Sequence, residues 1–98
     1  MDYKIRWTKR AEDNFHNVVE YIEIEWGANS AKRFVRKVYK LLDLLKKQPL
    51  VGKIEVEQKG IRSFVFSKQN TLFYRIKEQQ IIILAIFDNR KDPQNRLK

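Results

Sequence analysis

Apolar residues recur with helical spacing in two consecutive stretches of the chain. In the first stretch they form one stripe, at Ala11, Phe15, Val18, Ile22 and Trp26. In the second, which ends before Pro49, they lie at Ala31, Phe34, Val38, Leu41 and Leu45. Amphipathic helices show this spacing, so the sequence predicts two of them. Gly27 is suited to ending the first helix, and Asn29 or Ser30 to capping the second. The link is so short that the two helices should run antiparallel as a hairpin.

Elsewhere the apolar residues follow the two-residue period of strands. Residues 3–7 alternate apolar and charged positions, which predicts a half-buried N-terminal strand. After Pro49, the stretches 54–57, 61–66, 72–77 and 81–87 predict an edge strand and then an antiparallel meander. Residues 81–87 are apolar throughout and should form the central strand, buried on both faces. We predict one α+β domain spanning 1–98: an N-terminal strand and a helical hairpin packed on a three- to four-stranded antiparallel sheet.

Charge is both high and unevenly distributed. The chain has 21 lysines and arginines against 12 acids, a formal net charge of +9. Such a charge favours an anionic partner, such as nucleic acid, a ribosome surface or an acidic protein, although solubility alone would also explain it. Acids dominate the first predicted helix and bases the second. Either the helices pair these charges across the hairpin, or the second helix presents a basic ridge to phosphates.

The residue types that several kinds of active site need are scarce. The chain has no cysteine, three scattered glycines and a single histidine, His16, which we expect to be exposed or half-buried. The sequence therefore does not favour a zinc site, a catalytic triad or a phosphate-binding loop. We expect neither metal nor cofactor. No segment is long enough to span a bilayer, and the N-terminus lacks the apolar core of a signal peptide. We expect a cytoplasmic protein without a membrane partner.

The remaining candidate chemistry is cationic. Arg62 opens a predicted strand, Arg75 lies within one, and Arg90 follows the apolar strand 81–87. Arginines on a sheet suit phosphate recognition, stabilisation of a phosphorane-like transition state, or binding of an acidic peptide. For Arg75 we favour a cross-strand role on the solvated face, with Glu78 as a neighbour. Asp88, Asn89 and Arg90 are expected to lie beside Arg62 at one edge of a basic surface.

Several segments, in order and over nearly the whole chain, resemble the RelE/ParE superfamily of bacterial toxins. They are Trp7-Thr8 with Ala11 and Tyr21-Ile22, Pro49 with Gly52-Lys53, Ile61-Arg62, residues 72–76, and residues 82–90. The resemblance implies the fold predicted above. It also implies the toxin of a type II toxin–antitoxin module, held by its cognate antitoxin in a hetero-oligomer.

Two branches of this superfamily have different targets. RelE-like members cut messenger RNA in the ribosomal A site without metal, and ParE-like members inhibit DNA gyrase. Arg62 falls on a position that is basic in both branches, and Arg90 matches the arginine after the last strand. A further sheet arginine of RelE-like toxins aligns with Thr71, and no tyrosine or histidine follows Arg90.

These departures favour the ParE-like branch, with a RelE-like ribonuclease as the alternative and a non-toxic basic binding module of the same fold as a third possibility. If the chain is a nuclease, we expect it to use a set altered from that of the family, with Arg62, Arg90 and Lys68 as its catalytic residues and Asp88 as a further candidate. The residues expected to bind the target or the antitoxin are Arg62, Arg75, Asp88, Asn89, Arg90 and Lys91.

Overall fold

Residues 2–91 are described by the computed structural model of the chain. Its elements are β1 (Lys4–Trp7), α1 (Lys9–Trp26), α2 (Ala28–Lys47), β2 (Lys53–Val56), β3 (Ile61–Val65), β4 (Asn70–Lys77) and β5 (Gln80–Asp88). Short 3₁₀ turns at Pro49–Val51 and Glu57–Lys59 flank β2. The predicted order of strand, two helices and then strands is confirmed. The tail after residue 91, where a terminal tyrosine or histidine is missing from the sequence, lies outside the described residues.

The five strands form one sheet in the order β1-β5-β4-β3-β2. Strands β2 to β5 are the predicted antiparallel meander, and β1 joins its edge by pairing in parallel with β5. The α+β prediction is therefore confirmed, with the N-terminal strand extending four antiparallel strands to a mixed sheet of five. The central strand is β4, whereas β5 is an inner strand one place from the edge. Its apolar sequence reflects burial on both faces rather than a position in the middle of the sheet.

The two helices meet at a single residue, Gly27. Its φ of 93° is a conformation that glycine adopts at little cost, and it lets α2 begin at Ala28 directly after α1 ends. Asn29 and Ser30 therefore lie inside the first turn of α2, so the prediction that one of them caps this helix is wrong. At the other end of α1, the Thr8 hydroxyl accepts a 3.0 Å hydrogen bond from the Ala11 N–H and donates one to the Ile83 carbonyl.

The helical hairpin covers one face of the sheet and forms the main core with it. The largest fully buried side chains of this core are Val38, Leu45, Leu72, Tyr74, Ile81, Ile83 and Ile86. The opposite face carries a smaller cluster, in which the rings of Phe73 and Phe87 meet edge to face at 5.8 Å. His16 is exposed on α1, as predicted. The end of β5 and the tip of the hairpin come together at one end of this layered structure.

Candidate partner-binding surface

Asp88 is a buried carboxylate at the end of β5, and Arg90 is its main partner. The Arg90 guanidinium donates from Nη2 to Oδ2 at 2.7 Å and from Nε to Oδ1 at 3.0 Å. The Arg90 main-chain N–H adds a bond of 2.9 Å, and the Asn70 amide another of 2.9 Å. Burial alone would raise the pKa of Asp88, but these bonds outweigh it and hold that pKa below its ordinary value.

The same guanidinium lies over an aromatic ring. The Arg90 Cζ atom is 4.3 Å from the centroid of Trp26, the last residue of α1, which is a cation–π contact. Trp26 in turn meets Tyr21 edge to face at 5.6 Å. The hydrogen bond to Asp88 raises the pKa of Arg90. Arg90 is therefore held on two sides while 35% of its side chain stays exposed, so it presents a fixed positive charge to solvent.

Asn89 and Lys91 position the chain on either side of Arg90. The Asn89 N–H donates to the Gln69 carbonyl at 2.7 Å, and the Lys91 N–H donates to the Asp88 carbonyl at 3.1 Å. The first of these bonds ties the end of β5 to the β3–β4 loop. Lys68 lies in that loop with an exposed side chain. Four of the predicted residues, Asp88, Asn89, Arg90 and Lys91, thus lie at one corner, with Lys68 in the adjoining loop.

Arg62 is not at this corner. It is opposite Tyr74 on β4, whereas Asp88 is opposite Asn70, so the two sites are four residues or about 13 Å apart along the strand. The expectation that Arg62 lies beside Arg90 is therefore wrong. The reason is that β3 and β4 run antiparallel, which places the start of β3 beside the far end of β4.

Arg62 instead stabilises the chain segment that follows α2. Its Nη1 donates to the carbonyls of Gly52 at 2.7 Å and Leu50 at 3.1 Å. Beside it, the Tyr74 hydroxyl donates to the Pro49 carbonyl at 2.6 Å and accepts from the Gly52 N–H at 2.9 Å. Burial raises the pKa of Tyr74, and the bond from Gly52 and the charge of Arg62 only partly offset this. These contacts give Arg62 a structural role.

Arg75 lies on the sheet face away from the helices. Its neighbours across the sheet are Ile61 on β3 and Ile82 on β5. Within residues 2–91 no ion pair joins it to Glu78, so the expected neighbour is not its partner. Its Nε atom is buried without a hydrogen-bond partner. Arg75 is thus remote from the corner formed by Asp88 and Arg90.

A cleft of about 280 Å³ opens beside Arg90, between α2 and the β3–β4 loop. Its lining residues are Ile22, Trp26, Ser30, Arg33, Phe34, Lys37, Gln69, Asn70 and Arg90. Arg33 and Lys37 belong to the second helix, for which the sequence predicts a basic ridge, but the sequence did not connect Trp26 or Asn70 with Arg90. The only feature of the sequence that pointed to this contact was Trp26, at the end of the apolar stripe of the first helix. Contact between the ends of α1, β4 and β5 is a tertiary feature that periodicity does not reveal.

The charges of the two helices do not pair across the hairpin. The ion pairs of the helices within residues 2–91 are Lys9–Asp13 at 3.0 Å and Asp43–Lys46 at 4.0 Å, each inside one helix. The cross-hairpin interpretation is therefore wrong. Exposed charges gain little from pairing, because water screens them and long side chains lose entropy. The outward cations of α2 remain exposed, at Lys32, Arg33, Arg36, Lys37 and Lys40.

The sequence model of the ParE toxins of type II toxin–antitoxin systems matches residues 5–93. The chain belongs to the ParE toxin family. This confirms the suspected resemblance, and as a toxin of a type II system the protein has a cognate antitoxin as its partner. No curated protein sequence gives a significant match. No helix within residues 2–91 is long and apolar enough to cross a bilayer.

Solved structures similar to this toxin come from several toxin–antitoxin systems. A chromosomal ParDE system from P. aeruginosa aligns at 20% identity and a TM-score of 0.73, covering 88% of this chain and 95% of that chain. A YoeB/ParE toxin from Agrobacterium tumefaciens aligns at 18% identity and 0.64, covering 87% and 96%. The E. coli DinJ–YafQ complex aligns at 12% identity and 0.62, covering 94% and 98%. At these identities the likeness establishes the fold.

Proposed function

We propose that this toxin acts by binding and inhibiting DNA gyrase, and that it carries no nuclease activity of its own. One observation carries the proposal: the cations expected to form a nuclease centre do not converge. Arg62 lies about 13 Å along the sheet from the Arg90 corner. Its guanidinium donates to two main-chain carbonyls, and that of Arg90 is bound to Asp88. Gyrase works in the cytoplasm, so the proposal also places the toxin there.

The chemistry of RNA cleavage supports the same conclusion. Attack by a 2′-hydroxyl requires a general base and a general acid within hydrogen-bond reach of the reacting oxygens. An arginine is a poor proton donor or acceptor, because its guanidinium stays protonated. His16 is exposed on α1 and lines a pocket with Trp7, Glu12, Phe15 and Tyr39, none of which is one of the sheet cations. Asp88 is fully buried and bound by Arg90. Of the predicted catalytic residues only Lys68 is left to exchange protons, and one exposed lysine does not make an acid–base pair.

The direct test is an assay of gyrase with the purified toxin. Adding the toxin to gyrase and relaxed plasmid should abolish supercoiling in a dose-dependent way. The same toxin added to a translation extract should leave messenger RNA intact when primer extension maps its ends. Ribosome-dependent cuts at A-site codons, together with normal supercoiling, would overturn the proposal.

One observation favours the alternative of a ribosome-dependent ribonuclease. The exposed cations of α2 and Lys68 form a surface suited to RNA phosphates. The Lys68→Ala variant separates the two functions, because Lys68 is a candidate only for catalysis. If the toxin inhibits gyrase, this variant should keep its full effect on supercoiling. Loss of growth arrest in that variant, with A-site cuts disappearing at the same time, would support the ribonuclease. No growth effect from the wild-type toxin would instead point to a non-toxic binding module.

A further inference from the structure

The two tryptophans of the chain differ in their partners. Trp26 has the Arg90 guanidinium over its ring, with Cζ 4.3 Å from the centroid. Within residues 2–91 no lysine or arginine is stacked on Trp7 in this way. Trp7 instead lines a pocket of about 180 Å³, formed by residues of β1, α1 and α2, which we call the Trp7 pocket. Its other lining residues are Glu12, Phe15, His16 and Tyr39.

Two of the aromatic side chains of the Trp7 pocket are held in place by the fold. The rings of Trp7 and Phe15 have centroids 5.3 Å apart and planes tilted by 45°. Phe15 also contacts Phe34 of the main core, at 6.0 Å. Directly after Trp7, the N–H and the hydroxyl of Thr8 both donate to the Ile83 carbonyl, at 3.2 and 2.9 Å. These bonds fix the turn from β1 into α1, so this part of the pocket is preformed.

The charge at this pocket is opposite to that of the protein as a whole. Glu12 lines it, and among residues 2–91 no lysine or arginine does. The Glu12 side chain is exposed and makes no ion pair within the same residues. Nearby, Lys9 is bound to Asp13 at 3.0 Å instead. In a chain with 21 lysines and arginines, the Trp7 pocket therefore has a carboxylate without a cationic partner.

Aromatic rings beside a carboxylate are surroundings that organic cations prefer, because the negative face of a ring attracts an ammonium or guanidinium group. We propose that the Trp7 pocket binds the cationic head group of a lysine or arginine side chain of a partner protein. A nucleotide does not suit the pocket, since its phosphate would be repelled by Glu12 with no lining lysine or arginine to offset the repulsion. The pocket shares no residue with the cleft beside Arg90, so this inference does not depend on which target the toxin has.

A side chain held by a larger partner fits this pocket better than a free cation does. Exposed cation–π contacts and exposed ion pairs each contribute little, so the pocket binds a lone monovalent cation weakly. The net charge of +9 also repels free cations. Tyr39 is 55% exposed, which leaves the pocket open to the surface of a partner. Other contacts of that partner supply most of the affinity, and the Trp7 pocket selects for a cation at one position.

The experiment follows the indole N–H signals of the two tryptophans by NMR, in full-length ¹⁵N-labelled toxin made by cell-free synthesis. The titrations are run at pH 8, where imidazole groups are neutral. N-acetyl-lysine methylamide should shift the signal of Trp7 but not that of Trp26, with a Kd on the order of 10 mM. N-acetyl-norleucine methylamide, which has a similar shape and no charge, should bind at least about fivefold more weakly. Equal binding of the two would show a merely apolar pocket and overturn the proposal.

Two double variants with the same change in charge form a matched pair. Glu12→Gln/Tyr39→Leu removes the carboxylate and one ring, and it should weaken binding of the blocked lysine by roughly tenfold. Glu25→Gln/Tyr39→Phe keeps the ring and removes an exposed carboxylate about 20 Å further along α1, so it should bind like the wild type. Circular dichroism spectra and melting curves that match those of the wild type establish that both variants are folded. Equal affinities of the two variants would contradict the assignment of Glu12 and Tyr39.

Two further probes separate the other classes of ligand. Butylammonium has the head group of lysine without the peptide units. If it binds and the blocked lysine does not, the pocket is a site for a free amine, and the assignment to a partner's side chain is wrong. Adenosine tests stacking of a nucleobase without a phosphate. A shift of the Trp7 signal with adenosine but not with the blocked lysine would likewise overturn the proposal.

Discussion

Arg90 binds Asp88 through two hydrogen bonds, of 2.7 and 3.0 Å, that join a partly exposed guanidinium to a fully buried carboxylate. A charged group at the candidate surface is therefore anchored in the interior of the protein. Asp88 is buried and Arg90 is partly exposed. Removing the charge of Arg90 alone should therefore change the stability of the fold differently from removing both charges. A substitution at this corner can therefore change stability as well as any binding there, and variants must be chosen to separate the two effects.

Arg90→Ala should destabilise the fold by roughly 2–4 kcal/mol, since it leaves the Asp88 carboxylate buried without its counter-charge. We place the value below that for a fully buried pair, because water reaches part of Arg90. The double variant Asp88→Asn/Arg90→Gln removes both charges together and should lose less stability than Arg90→Ala. Urea unfolding of the three proteins measures the difference. Equal stability of Arg90→Ala and the wild type would contradict a role for this pair in the fold.

Stability should fall in acid for the same reason. The pKa of Asp88 is lowered in the folded state, so its ionised form contributes stability above the pKa of about 3.9 that it has in the unfolded chain. This contribution is lost as the pH falls from about 5 through the folded pKa, which lies lower. Asp88→Asn should flatten the stability profile in that window. Asp13→Asn, which removes an exposed carboxylate paired with Lys9, is the control for the loss of one negative charge.

The sequence predicted the helices and strands better than it predicted which side chains lie close together at the candidate site. Periodicity identified both helices and the meander, because burial of one face repeats locally along the chain. It could not place Arg62 relative to Arg90, since that depends on which end of β3 meets which end of β4. The sequence did not predict the order of the strands for the same reason. The apolar run of β5 indicated burial on both faces, but not that β1 would pair with β5 in parallel. The sequence showed that acids dominate the first helix and bases the second. It did not show that these side chains are exposed, so that water screens their charges.

Tyr74→Phe tests the structural role of the segment held by Arg62. The change removes the bond to the Pro49 carbonyl and leaves the buried N–H of Gly52 without an acceptor. We expect a loss of about 1–3 kcal/mol in the free energy of unfolding, the usual cost of an unsatisfied buried donor. Gly52→Ala should be at least as damaging, because its Cβ would lie 2.6 Å from the Tyr74 hydroxyl and 2.8 Å from the Ser63 carbonyl. Chemical denaturation of each variant measures these costs. A Tyr74→Phe protein as stable as the wild type would show that this network is dispensable.

Glu78 is a position where the fold can be strengthened. It lies in the turn between β4 and β5 with a φ of 56°, in a region where a side chain clashes with the main chain. Glycine removes that strain, at some cost from the greater freedom of the unfolded chain. We expect Glu78→Gly to raise the free energy of unfolding by about 0.5–1 kcal/mol, measured by urea denaturation.

The adjacent turn residue supplies the control for Glu78. Gln79 has no positive φ, so Gln79→Gly relieves no strain and adds only freedom to the unfolded chain. It should lower stability by a similar amount, about 0.5–1 kcal/mol. Opposite signs for the two glycine variants would support the strain at Glu78. Destabilisation by both would mean that the left-handed conformation at Glu78 costs little, and that the turn is held by the pairing of β4 with β5.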